Sequence, residues 1–259
     1  YIEKCLLSAK YQFTGHKEII LVDDGSDKKS KYVLKNLNHL YDKLITQENM
    51  GQSIARNKGI SMAKGKYVMV LDSDDYFEAD FCTSAVDILK NKNCRLVTCW
   101  ANRVVNDIKL DIYKPKGGGL NSFLFSNSAM GSAIFKKDDW AEIGGYDQLM
   151  RTGWEDWEFY IRLLNLGGVC KVVPQVLLNY RMREGSTTAI ANKQKPQLFK
   201  YIFKKHKELY SKHYEELVDF LTHLLESEKK ERLKLLSKPD YKLGHNLLKL
   251  PRSIKRFFK

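Results

Sequence analysis

Apolar and polar positions along the first 91 residues alternate between two periodicities. Ile19-Ile20-Leu21-Val22 and Val68-Met69-Val70-Leu71 are continuous branched runs bounded by turn formers. Runs of this kind read as strands buried on both faces of a parallel sheet. Between and around them the period changes to that of an amphipathic helix. Ile2, Leu6, Leu7 and Ala9 share one side over residues 1–13, and Val33, Leu34, Leu37 and Leu40 share one over 27–40. Residues 52–63 and 79–91 are further helices, and Leu44-Ile45-Thr46 is a short strand. The alternation predicts βαβ units: a mostly parallel sheet with helices on both sides.

The pattern then changes. Residues 95–105, 108–113 and 132–135 read as strands, and 137–143 and 155–166 as helices. Gly117-Gly118-Gly119 reads as a mobile loop, and residues 169–180 as a strand interrupted by Pro174. Beyond Ala189 the chain is helical and rich in lysine.

Charge sharpens this division. The net charge is +13, yet residues 189–259 hold 18 Lys and Arg against 8 Asp and Glu, which leaves only +3 for the rest. The basic character thus belongs to the tail and does not describe what the α/β domain binds. Five cysteines form no C-x-x-C pair and read as reduced thiols of a cytosolic protein. No apolar stretch approaches the roughly 20 residues that span a bilayer. The expected organisation is an α/β domain over 1–188 and a basic helical extension over 189–259.

Both buried runs end in acidic clusters, Asp23-Asp24-Gly25-Ser26 and Asp72-Ser73-Asp74-Asp75. Ligands of open α/β sheets bind at the carboxyl ends of the strands. Asp72 and Asp74, two residues apart, share a side while extended. A hard cation such as Mg²⁺ or Mn²⁺ between them relieves their repulsion, with ligand phosphates completing its shell. Acidic turns that cap the following helices are the structural alternative at both places, with Ser26 or Asp27 as the cap after the first. Arg56, on the helix between the two acidic strands, offers forked donors to a carbonyl or phosphate. Trp154-Glu155-Asp156-Trp157 places carboxylates at a helix start, where they are electrostatically favoured, beside indole faces suited to a sugar ring. Arg181 and Arg183, next to Gly185-Ser186-Thr187, could clamp a diphosphate or pair on the surface. The six histidines show no metal-ligand spacing, and no P-loop, G-x-S-x-G or G-x-G-x-x-G string occurs.

In order and spacing these pieces resemble the family 2 glycosyltransferases of the GT-A fold. The matching string is Val22-Asp23-Asp24-Gly25-Ser26; Asn49-x-Gly51 with Ala55-Arg56-Asn57-x-Gly59-Ile60; Gly65-Lys66-Tyr67; and Leu71-Asp72-Ser73-Asp74-Asp75. It continues with Gly144-Gly145-Tyr146-Asp147, Gly153-Trp154-Glu155-Asp156 and Tyr180-Arg181, covering roughly residues 1–188. The resemblance implies an inverting transferase that moves a sugar from a nucleoside diphosphate, with uridine diphosphate preferred, to an acceptor hydroxyl in polysaccharide or glycolipid synthesis. By resemblance Asp24 and Arg56 hold the nucleoside, Asp72 contacts the ribose or assists the metal, and Asp74 ligates Mn²⁺ or Mg²⁺. Asp156 is the general base, and Trp154, Glu155 and Tyr146 shape the acceptor and sugar pocket. Arg183 stands where many relatives carry a histidine, and is expected on the diphosphate instead of the metal. Relatives open with a strand and a Pro-x-Tyr-Asn turn, and Tyr1 follows that point, so an interior strand position is expected to be empty.

Residues 241–259 interleave leucines, Ile254 and two phenylalanines with lysines and arginines. This suits an element lying on an anionic membrane surface, where a lipid-linked saccharide acceptor would be met. The expected location is cytoplasmic, peripheral on the inner face of the plasma membrane, with no nucleic acid partner. A sugar nucleotidyltransferase and a catalytically impaired nucleotide-sugar-binding protein are the competing readings.

Overall fold

The computed structural model describes residues 1–12, 15–183 and 185–246. The chain divides into two compact units, Tyr1–Lys204 and Lys205–Lys259, so the first unit runs past the expected boundary at 188. In chain order the first unit holds α1 (Ile2–Lys10), β1 (Ile20–Asp24), α2 (Lys28–Asn36), β2 (Lys43–Gln47), α3 (Gln52–Met62), β3 (Tyr67–Met69) and β4 (Tyr76–Phe77). There follow α4 (Phe81–Leu89), β5 (Cys94–Val105), β6 (Ile108–Tyr113), β7 (Ile134–Lys136), α5 (Lys137–Glu142), α6 (Glu155–Asn165), β8 (Val169–Arg181), α7 (Thr187–Lys193) and all but the last residue of α8 (Lys195–Lys205). The second unit holds α9 (Lys207–Lys212) and α10 (Tyr214–Ser237). No helix among the described residues is long and apolar enough to cross a membrane. The basic segment expected on a membrane surface lies outside the described residues from 247 onward.

The strands form two sheets. β1 and β2 pair in parallel, from Ile20 opposite Lys43 to Asp24 opposite Gln47. The larger sheet has the order β3-β7-β5-β8-β4, with β6 hairpinned onto β5. Only β5 and β8 run parallel within it, and its other pairings are antiparallel. The pairing is therefore more mixed than the βαβ alternation implies. That alternation covers only the first third of the chain, and the later strands return as hairpins and edge pairs. Pro174 has no N–H to give to a ladder. Accordingly the β5–β8 register slips around it, from Val173 opposite Cys99 to Val176 opposite Trp100.

Helix boundaries follow local chemistry. Asp27 caps α2 by accepting from Ser30 N at 2.7 Å, so of the two residues weighed for that role the aspartate takes it. Trp154 at φ 62° precedes α6, and Gly167 and Gly168 at φ 88° and 89° stop the chain after it. One face of α4 (Phe81, Ala85, Leu89) packs on Val97, Cys99 and Ala101 of β5 and Leu178 of β8, forming the main core. Leu6 of α1 packs with Leu37 and Leu40 in a smaller one.

The triple-glycine loop is not the free loop its composition suggests. Gly117 N donates to Ser128 O at 2.9 Å, and Gly118 exchanges two backbone hydrogen bonds with Cys170. A Cβ at Gly117, where φ is 63°, would lie 2.8 Å from Cys170 O. Glycine serves close backbone approach here.

Among the described residues β1 is paired only by β2, and β3 only by β7. A cavity of about 1810 Å³ is lined by both strands, including Leu21, Val22, Val68 and Met69. It continues past their carboxyl ends to Asp24, Asp72, Asp74 and Asp156.

Candidate active site

Three carboxyl-bearing segments meet at this cavity: the end of β1, the turn after β3 and the start of α6. At the end of β1, Asp23 closes its own turn, accepting from Ser26 N at 2.8 Å. Asp24 reaches across to the segment before α3. Its Oδ1 accepts from Gln47 Nε2 and Met50 N, and its Oδ2 from Gly51 N, each at 2.8 Å. Burial opposes its ionisation, but these donors and nearby Arg151 prevail and hold its carboxyl below the usual range. Asp24 thus fixes the Asn49–Gly51 turn while standing on the cavity wall.

Arg56 is the hub. On α3, its Nη2 donates to Asp72 Oδ1 at 2.6 Å and its Nη1 to Glu155 Oε1 at 2.7 Å. Gln52, one turn earlier on the same helix face, donates to Asp72 Oδ1 at 3.0 Å. Arg56 and Glu155 side chains are 8% and 7% exposed. Burial disfavours the guanidinium charge, but Asp72 and Glu155 over-compensate and keep it protonated. Arg56 therefore ties the acidic turn to the start of α6, with both terminal nitrogens engaged by carboxylates.

In the turn after β3, Asp74 Oδ2 accepts from Arg183 Nη2 at 2.5 Å, so the arginine expected at the diphosphate sits on the metal-type carboxylate. Asp75 is buried and accepts from Arg181 N at 2.8 Å, linking the turn to the end of β8. Burial, then the charge of Asp72, push its carboxyl up to about 8. Asp72 Oδ2 and Asp74 Oδ1 receive no hydrogen bond from the described residues. Among those residues no cluster of three or more His, Cys, Asp or Glu is placed to hold a metal. One or two hard carboxylate oxygens are nonetheless what Mg²⁺ takes from a protein when phosphates and water complete its shell. The Asp72 Oδ2 and Asp74 Oδ1 oxygens are of the donor type such an ion takes.

Asp156 lies in the first turn of α6 and faces the same cavity. Burial raises its carboxyl above the usual range, against the pull of Arg56; burial raises Glu155 likewise. Asn127 Nδ2 donates to Asp156 Oδ2 at 2.8 Å. Trp154 lines the cavity and meets Trp157 and Phe199 edge-on, with ring centroids 5.0 and 4.8 Å away.

Of the residues expected at the site, Asp24, Arg56, Asp72, Asp74, Trp154, Glu155, Asp156 and Arg183 line one cavity. Tyr146 does not. It is 1% exposed and stacked on Phe159, centroids 4.2 Å apart, so its ring is core and not pocket wall. Its motif is held by α3: Asn57 accepts from Tyr146 N and Trp140 Nε1 and donates to Tyr146 O. Gln52 and Asn127 also line the cavity without having been expected there, and Asp75, read only as part of the acidic cluster, lines it as well. Gln52 carried a usable signal, its i, i+4 spacing from Arg56. Asn127, in an irregular segment, carried none.

Residues 1–138 match the family described as Glycosyl transferase family 2. Glycosyltransferase GlyA of Streptococcus pneumoniae serotype 4 is 40% identical over 83 residues, 31% of this chain and 12% of that protein. Chondroitin synthase of Pasteurella multocida is 28% identical over 206 residues, 74% of this chain and 20% of that protein. The chain thus spans a fifth or less of these relatives' lengths. Among solved structures, S. aureus TarS 1–349 in complex with UDP-GlcNAc aligns with a TM-score of 0.59 at 17% identity, over 73% of this chain and 57% of that one.

Proposed function

The chain belongs to glycosyl transferase family 2, and on that premise we propose that it is an inverting transferase taking a sugar from a UDP-sugar to an acceptor hydroxyl in polysaccharide synthesis. The observation that carries this is the single cavity onto which Asp24, Asp72, Asp74 and Asp156 converge from distant parts of the chain. The relatives include a chondroitin synthase, and TarS 1–349 has been crystallised with UDP and with UDP-GlcNAc, which supports a uridine nucleotide donor.

Shared lining of one cavity supports the following roles. Asp24 and the turn it fixes form the nucleoside side of the cavity. Asp72, held by Arg56 and Gln52, keeps Oδ2 for the ribose or the cation. Asp74 would hold Mn²⁺ or Mg²⁺ together with the diphosphate. When bound, that ion neutralises charge gathering on the departing phosphate. Arg183, paired with Asp74 here, would turn to the diphosphate when the donor enters.

Across the cavity, Asp156 takes the proton of the acceptor hydroxyl as its oxygen bonds to the anomeric carbon. The bond from that carbon to the diphosphate oxygen breaks in the same step, and its electron pair leaves with the diphosphate. Attack opposite the leaving group inverts the centre without a covalent intermediate. Trp154 and Glu155 wall the acceptor side. Burial of Asp156 suits it to the task, because a carboxylate with raised proton affinity is a stronger base.

A panel of nucleotide sugars, assayed for UDP release with Mn²⁺ and with a chelator, tests the reading. Asp156→Asn should leave donor binding within about threefold of the parent while transfer falls ~10²–10⁴-fold. Asp74→Asn should weaken metal-dependent donor binding. Transfer by Asp156→Asn at the parent rate would overturn the assignment of the base, and indifference of the parent to chelator would remove the metal.

A further inference from the structure

Asp156 carries two carboxyl oxygens, and the surrounding chain treats them differently. Oδ2 accepts from Asn127 Nδ2 at 2.8 Å. The Cα of Gly131 also faces it, so closely that a Cβ there would lie 3.2 Å from Oδ2. Among the described residues no side chain donates to Oδ1.

The amide of Asn127 has one orientation available. Its Oδ1 accepts from Ala129 N at 3.2 Å, which turns the NH₂ group toward Asp156. The segment bearing it is pinned on both sides although it has no regular structure. Ser128 Oγ donates to Ser122 O at 2.6 Å, and Ser128 O accepts from Gly117 N. Met130 N donates to Thr98 Oγ1 at 3.2 Å, and Tyr160 of α6 itself donates to Met130 O at 2.8 Å. The donor thus stands on a rigid support tied to the helix that carries the acceptor.

We propose that Asn127 is a positioning residue for the acceptor-activating carboxylate: it holds Asp156 by Oδ2, so that Oδ1 meets the incoming hydroxyl. This rests on the reading of Asp156 as the base. A carboxylate in the first turn of a helix can otherwise rotate about its side-chain torsions, and a base must lie within hydrogen-bond reach of its proton. Fixing one oxygen with an amide removes that freedom and leaves the second free to accept.

A hydrogen bond donated to the ionised form also favours ionisation. Other groups bear on Asp156 as well. They are the backbone N–H of Trp157, which also favours the ionised carboxyl, Arg56 from α3, Asp72 after β3, Tyr113 at the end of β6, Tyr146 after α5, Glu155 and Tyr160 within α6, and Tyr180 on β8. None of them is altered by changing Asn127, so the change isolates the amide.

The test compares the parent, Asn127→Ala, Asn127→Asp and Asp156→Asn with the donor selected by the panel above. Measured are kcat, donor KM, the pH dependence of kcat and the melting temperature. Asn127→Ala should lower kcat ~10–100-fold with donor KM within about threefold, and shift the acid limb upward by about one pH unit. Asn127→Asp, which keeps the shape but adds a like charge, should shift it further. Should the alanine variant not fold, the aspartate variant decides alone. Unshifted acid limbs with Asp156→Asn inactive would overturn the positioning role and leave the base in place. Activity in Asp156→Asn would instead remove the base, and this proposal with it.

Discussion

Asp75 follows the two carboxylates expected at the metal, yet it is the buried member of the cluster, 2% exposed. The motif made all three aspartates visible as chemistry; only packing separates their roles. Asp75 accepts from the backbone of Arg181, and burial followed by Asp72 raises it to about 8. The folded chain therefore keeps a proton that the unfolded chain releases from about pH 4 upward. Over that window the unfolded state binds fewer protons, so this group makes stability fall as pH rises, levelling off above about 8. Asp75→Asn keeps the acceptor for Arg181 N and removes the titration. Its melting temperature relative to the parent should therefore climb from pH 5 to pH 8; parallel profiles would show that Asp75 ionises normally in the fold. At this scale the sequence discloses Asp72, Asp74 and, distant in the chain, Asp156, which come to line one cavity. It hides Asn127, whose meaning comes from a partner 29 positions away.

Elements were legible where apolar positions recur at the period of a helix or a strand. Residues 52–63 read as a helix and α3 spans Gln52–Met62; residues 108–113 read as a strand and β6 has the same bounds. What periodicity cannot carry is pairing. β4 is two residues long and owes its existence to Tyr76 and Phe77 meeting Asn179 and Leu178 of β8, so no window of sequence announces it. Tyr146 is a similar case: expected in the pocket wall, it lies in the core, and the turn before it is braced. Asn57 supplies that brace with three hydrogen bonds to Tyr146 N, Tyr146 O and Trp140 Nε1. Asn57→Ala would strand part-buried groups on the far side, at a cost of ~2–4 kcal/mol. Urea unfolding followed by fluorescence should show that loss in the midpoint with an unchanged slope. A loss under about 0.5 kcal/mol would mean that water replaces the amide and α3 does not brace the turn.

At the scale of the whole chain, charge and catalysis separate. The groups proposed to do chemistry lie between Asp24 and Arg183, whereas +10 of the net +13 falls in residues 189–259. Motif order made the family legible, because several short motifs in one order are more specific than any of them alone. Where one unit ends was less so, because lysine-rich helices on either side of residue 204 look alike in composition. What the basic excess does is a question of partners. An acceptor carried on a lipid would place the enzyme at an anionic surface, where each nearby Lys or Arg contributes about 1 kcal/mol. Leucines and phenylalanines interleaved with those charges would add apolar insertion. The expectation is that the chain sediments with vesicles containing phosphatidylglycerol, that added salt weakens this by screening, and that a chain ending at Ser237 loses most of it. Equal sedimentation of both chains would place the attraction elsewhere. Binding to uncharged vesicles as strong as to anionic ones would show that the basic residues do not drive it.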